Sequence, residues 1–170
     1  MAKLEIIRGK VWKFGDNINT TEIYPVEMFP AAYHGIEPIA FAGLRPEWRS
    51  QVRPGDCIVG GENYGLGSQR DGARILMKDL QIGCIVADSF ARLYYRTMIA
   101  IGFPVFACPG VSKIFTEGDQ LELDVHQGLV TNLTTGQSLR GSLYPPEFME
   151  LLEAGGVMPL IVERVKKSQA

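Results

Sequence analysis

The stretch Cys57-Ile58-Val59-Gly60-Gly61-Glu62-Asn63-Tyr64-Gly65-Leu66-Gly67-Ser68-Gln69-Arg70 decides the fold. Its apolar opening, Cys57 to Gly60, reads as a buried strand, and the glycines that follow lie where strand hands over to helix. Beyond them come a helical pattern from Gln69 to Leu80, a strand from Cys84 to Ala87, a helix from Ala91 to Ile101 and a strand from Val105 to Ala107. Strands separated by helices of about ten residues imply parallel pairing through right-handed crossovers, which makes the class α/β.

Upstream of this βαβαβ passage, Glu5 to Trp12 partly alternates and reads as an opening strand, followed by a polar turn from Asp16 to Thr21. Pro25, Pro30, Pro38 and Pro46, with Gly35 and Gly43, disfavour long regular elements and leave a long loop region with at most short helices. Downstream, Asp119 to Leu139 alternates, and Gln127-Gly128 and Thr135-Gly136 provide turns for β-hairpins. Pro145-Pro146-Glu147 opens a last helix through Leu152 that ends near Gly155-Gly156. The 170 residues suit one domain, read as residues 1–165 with 166–170 as a C-terminal tail.

Composition excludes several classes. Lys and Arg number 17 against 19 Asp and Glu, and without a basic stripe no nucleic-acid partner is expected. The N-terminus lacks a signal-peptide core, and the most apolar stretch, Met98 to Val111, is cut by Gly102, Pro104, Pro109 and Gly110. A soluble cytoplasmic protein with no membrane partner is therefore expected. Cys57, Cys84 and Cys108 are far apart in apolar runs, so they read as buried reduced thiols, with no metal held by this chain.

Gly65 and Gly67 bring amide N–H groups close to a ligand, and the free N–H groups of the following helix favour an anion by about 0.3–1 kcal/mol. Arg70 adds a planar fork suited to a carboxylate. Ser68 serves this anion pocket either as the helix N-cap or as a reactive hydroxyl. The turn lacks the Gly-Lys-Ser/Thr ending of a P-loop, the third glycine of a dinucleotide fingerprint and the flanking glycines of a hydrolase elbow. The two histidines are His34 and His126, the latter in an apparent hairpin strand, so a Ser-His-acid triad is disfavoured. Trp12 and Trp48 read as core or subunit-contact anchors, Tyr94 and Tyr95 as packing, Arg92 and Arg96 as a solvated face, and Asp88 and Ser89 as caps of the second helix.

The run Gly61 to Arg70, the segment Ala87-Asp88-Ser89-Phe90-Ala91-Arg92, the Gly102-Phe103-Pro104 that follows and the upstream Gly15-Asp16-Asn17-Ile18-Asn19-Thr20-Thr21-Glu22-Ile23-Tyr24-Pro25 together resemble the swivel domain of the aconitase family. The resemblance runs in order over nearly the whole chain and is strongest to the small subunits of isopropylmalate dehydratase and homoaconitase. It implies a swivelling β/β/α domain, a parallel βαβαβ core plus β-hairpins forming a barrel-like sheet. It also implies an iron–sulfur large subunit as partner, whose [4Fe–4S] cluster has one open iron site, with no cofactor in this chain. By motif position Ser68 would take the proton from the carbon next to a carboxylate and Arg70 would grip that carboxylate, with Gly67, Gln69 and Thr20 in the substrate-binding set.

Several positions depart from the family pattern. Gln69 stands for a second serine, Asp71-Gly72 for Glu-His, Thr21 for Asp, and Pro25-Val26-Glu27-Met28-Phe29 for Pro-x-Arg-Tyr-Leu. Glu27 would repel a carboxylate, whereas Met28 and Phe29 suit an apolar substituent. The expected activity is a hydro-lyase working in a heterodimer on a small hydroxy-dicarboxylate, with 3-isopropylmalate in leucine biosynthesis first. Dimethylmalate, citramalate and homoaconitate types, and a non-catalytic carboxylate-binding module of the same fold, are the alternatives. A stand-alone enzyme with Ser68 as covalent nucleophile is a third reading.

Overall fold

A computed structural model describes residues 6–25, 40–68 and 71–169. Among them β1 (Ile7–Lys13), β2 (Cys57–Gly60), β3 (Ile85–Ala87), β4 (Val105–Ala107), β5 (Gln120–Asp124), β6 (Leu129–Asn132) and β7 (Ser138–Arg140) form one sheet in the order β4-β3-β2-β1-β5-β6-β7. Strands β1 to β4 pair in parallel and β1, β5, β6 and β7 pair antiparallel. Burial separates the two halves. Every residue of β2 and β3 is buried, as expected of parallel strands covered on both faces, whereas β5 and β6 bury alternate residues.

Strand β1 is the seam. Its first half, Ile7 to Lys10, pairs with β5, and its second half, Val11 to Lys13, pairs with β2. The opening strand expected from its alternation thus sits at the middle of the sheet. The sheet then curls until its edges meet: the Ser142 N–H, just past β7, donates to the Ala107 C=O of β4 at 3.1 Å. This contact, with Tyr144 Oη donating to the Val105 C=O at 2.7 Å, gives the barrel-like form that the hairpins implied.

The helices are α1 (Thr20–Ile23), α2 (Trp48–Gln51), α3 (Asp71–Asp79), α4 (Arg92–Ala100), α5 (Val111–Ile114), α6 (Pro146–Ala154) and α7 (Val157–Ser168). The strand order runs in one direction from β1 to β4, which keeps successive crossovers on one face, and α3 and α4 pack together there. Trp12 and Trp48 are both core residues with rings 6.2 Å apart, edge to face.

Several local readings change. The polar turn from Asp16 to Thr21 contains the start of α1. Asp88 and Ser89 do not cap α4: its N-cap is Ala91, without a side-chain bond. Asp88 instead receives the Ser112 N–H at 3.1 Å and its hydroxyl at 2.6 Å, fixing α5, and Ser89 Oγ receives the Asn63 N–H at 2.8 Å. His126 lies in the turn between β5 and β6 rather than in a strand. After the left-handed Gly155 that ends α6, the chain resumes as α7, with Pro159 in a first turn where its missing N–H has no partner to lose.

Candidate active site

Three loops meet at the carboxyl ends of β1, β2 and β3, where ligands of parallel sheets characteristically bind. The loop after β2 lies between the other two and continues the strand order as isolated bridges, Leu66 with Asn19 and Tyr64 with Phe90. Gly65 and Leu66 both donate N–H to the Ile18 C=O at 2.8 and 3.0 Å, and Asn17 donates to the Glu62 C=O at 2.7 Å. On the other side Tyr64 donates to the Ser89 C=O at 3.0 Å, and Ala91 donates to the Tyr64 C=O at 2.9 Å. The turn is therefore held through its main chain from both flanks.

The glycines are needed because neighbouring side chains occupy their β-carbon positions. Gly65 has φ +86° and Gly67 φ +91°. A β-carbon on Gly65 would overlap the ring of Tyr94, and one on Gly67 would stand 2.6 Å from Asn19 Oδ1. Asn19 itself caps α1. Its Oδ1 receives the Thr21 N–H at 3.0 Å, while Glu22 Oε2 receives the Asn19 N–H at 2.7 Å. This reciprocal cap has a sequence signature, Asn19-x-x-Glu22, which the reading of a polar turn passed over.

Of the predicted site residues, Ser68 and Gly67 are exposed at the end of the turn. Thr20 is fully buried, and its hydroxyl donates to the Ser68 C=O at 2.7 Å while its N–H donates to the Leu66 C=O at 2.8 Å. It thus touches the turn that carries Ser68 and faces away from solvent. Gln69, Arg70, Glu27 and Met28 lie outside the described residues. Asn19, Tyr24, Asn63, Tyr64 and Ser89, which shape the turn, were not singled out by the sequence for that purpose.

The loops at 14–25, 60–68 and 88–91 carry Asp16, Glu22, Glu62 and Asp88 and no lysine or arginine. Positive charge for an anion at this turn therefore lies outside these three loops. Tyr64 and Tyr94 are fully buried, and burial pushes both phenols up, that of Tyr64 further raised by Tyr94 and Glu22. Both are shut away from solvent, which leaves Ser68 as the hydroxyl facing solvent on this turn. Among the described residues no three His, Cys, Asp or Glu side chains converge as metal ligands, and Cys57, Cys84 and Cys108 are buried free thiols.

The sequence model of the aconitase C-terminal domain matches residues 4–104, which include all three loops. The chain belongs to the aconitase C-terminal domain family. Within this family it is 43% identical over 167 residues to the isopropylmalate/citramalate isomerase small subunit of Methanocaldococcus jannaschii, covering 96% of this chain and 98% of that one. It is 35% identical to the 2,3-dimethylmalate dehydratase small subunit of Eubacterium barkeri, covering 91% and 95%. The crystal structure of 3-isopropylmalate dehydratase (leuD) from Methanocaldococcus jannaschii matches it with a TM-score of 0.86 at 28% identity, covering 98% of this chain and all of that one. The aconitase-type α/β fold expected from the motifs is the fold found.

Proposed function

We propose that this chain is the small subunit of an aconitase-type hydro-lyase that isomerises 3-isopropylmalate in leucine biosynthesis, together with an iron–sulfur large subunit, in the cytoplasm. The observation that carries the reading is the Ser68 turn. Its backbone is fixed by both neighbouring loops, its serine faces outward, and the chain matches relatives named as isomerase or dehydratase small subunits over almost their full length. Among the described residues no helix is long and apolar enough to cross a membrane.

In this reading Ser68 removes the proton from the carbon beside a substrate carboxylate. A serine alkoxide is unfavourable in water, so the site has to be closed, dry and lined by fixed donors. The Arg70 guanidinium supplies the charge absent from the three loops and grips the carboxylate as a two-pronged donor. The Gly67 and Gln69 groups complete the grip, and the buried Thr20 holds the serine's main chain. The cluster of the large subunit supplies a Lewis-acid iron for the substrate's hydroxyl.

The named relatives act on hydroxy acids that share the carboxylate and differ in the alkyl group. The choice among them is assigned to the segment of Glu27 and Met28, whose apolar member suits a branched alkyl substituent. Coexpressed with its large subunit, the Ser68→Ala chain is expected to lose roughly 10²–10⁴ of kcat, the range of a general base. Its circular dichroism and complex formation should match the parent. Undiminished turnover would overturn the assignment, and a panel of isopropylmalate, citramalate and dimethylmalate ranks the substrates.

A further inference from the structure

Gly72 stands one residue inside α3, where a glycine weakens a helix relative to alanine. Its missing side chain makes room for a ring from another element. A β-carbon on Gly72 would lie 2.6 Å from Cδ1 and 2.8 Å from Cζ of Tyr24, and nearer still to Cε1 between them. One edge of the Tyr24 ring therefore rests on the backbone of the first turn of α3. Tyr24 is 5% exposed, so the ring has little freedom to retreat.

Tyr24 is also the C-cap of α1, and its N–H donates to the Thr20 C=O at 2.9 Å. Thr20 in turn binds the Ser68 C=O through its hydroxyl. The chain thus has two anchors around the turn, Thr20 on Ser68 and α3 beginning at Asp71, with Gln69 and Arg70 between them. The seat of Tyr24 on Gly72 brings α1 and α3 into contact.

We propose that Tyr24 and Gly72 form a lock that fixes the position of Ser68, making Tyr24 a positioning residue that acts through Thr20. The proposal rests on the reading of the Ser68 turn as the reacting part of the site. It explains why a poor helix former occupies the first turn of α3, next to the turn where the position of one hydroxyl matters most.

The test uses the assembled complex of both subunits. A displacement of about 1 Å in a reacting group is enough to cost up to about 10²-fold, so Gly72→Ala is expected to lower kcat by roughly 10–100-fold. KM should stay close to the parent value; the added methyl against the buried ring is expected to cost about 1–3 kcal/mol of stability, so kcat is compared at a temperature where parent and variant are both fully folded. Tyr24→Leu in the Gly72→Ala background opens space for the added methyl and should recover a large part of the lost kcat, a non-additivity that unrelated sites do not show. Should Gly72→Ala fail to assemble, Tyr24→Ala and Tyr24→Phe replace it: Phe keeps the ring and should retain about tenfold more kcat than Ala.

Parent-like kcat in Gly72→Ala, or equal kcat in the Phe and Ala variants of Tyr24, overturns the lock. A fall in kcat that vanishes when parent and variant are compared where both are fully folded does the same. Ser68→Ala separates the two levels of the claim. If it is inactive while Gly72→Ala turns over normally, the lock alone fails; if it turns over fully, the reading of the turn fails and takes the lock with it.

Discussion

Gly65 is where the backbone and its surroundings agree most closely on one residue type. Its φ of +86° lies in the left-handed region, and Tyr94, fully buried and 5.8 Å ring to ring from Tyr64, occupies the place of a β-carbon. The Tyr64 and Tyr94 hydroxyls find no hydrogen-bond partner among the described residues, so these rings serve as packing beneath the turn. Gly65→Ala combines a left-handed penalty with overpacking and is expected to destabilise the chain by roughly 2–5 kcal/mol. Urea unfolding followed by circular dichroism reads this directly. An unchanged midpoint would mean that the Tyr94 ring yields easily and that the clamp under Ser68 is loose.

At the scale of elements, Asp119 joins three pieces that the sequence shows only separately. Its Oδ2 receives the Thr116 N–H at 2.7 Å, the Thr116 hydroxyl at 3.1 Å and the Asn132 Nδ2 at 2.8 Å, while Asn132 Nδ2 also donates to the Ile114 C=O. The end of α5, the start of β5 and the end of β6 are tied at one carboxylate. The Thr116 backbone donor, with the Asn132 and Thr116 side chains against some desolvation, holds this carboxyl below its usual range. A carboxyl whose folded pKa is depressed stabilises the fold above its unfolded value, about 3.9, and loses that contribution as pH falls through the folded value. Asp119→Asn is therefore expected to be less stable than the parent at pH 7, with the gap narrowing below about pH 4. Equal gaps in urea midpoint at pH 7 and pH 3 would contradict this. The βαβαβ passage was legible to within a residue or two in its strands, because buried parallel strands leave unbroken apolar runs such as Cys57-Ile58-Val59 and Ile85-Val86-Ala87. Elements held by side chains distant in sequence were not legible: α5 depends on Asp88 across 24 residues, and α1 is a single turn whose only local mark is the Asn19 and Glu22 pair. The same limit applied at the site, where Ser68 was marked by its turn together with the family resemblance, while the seat of Tyr24 on Gly72 required the fold.

For the whole molecule, the decisive event is the return of the chain from β7 to β4. On either side of β4 the Pro104 C=O receives the Ile85 N–H from β3 and the Cys108 N–H donates back to the Ala87 C=O, so alternate groups along this segment face inward to the sheet. The Val105 and Ala107 carbonyls fall on the open edge, a liability in any sheet. They are covered by Tyr144 Oη and the Ser142 N–H, and Tyr144 packs edge to face on Phe106 with ring centroids 5.6 Å apart. Gly141 lets this strap pass, since a β-carbon there would overlap both the Ala107 carbonyl oxygen and the Phe106 ring. Tyr144→Phe keeps the ring and strands a buried acceptor, at a cost of about 1–3 kcal/mol. Gly141→Ala should cost at least as much, through an overlap with backbone that cannot rotate away. The strap grips the outer edge of β4, while the Ser68 turn hangs on the loops after β1, β2 and β3. Both variants are therefore expected to lower the urea midpoint and leave kcat of the folded complex near the parent value. A loss of kcat without loss of stability would show instead that closure of the barrel reaches the turn through β3 and α4.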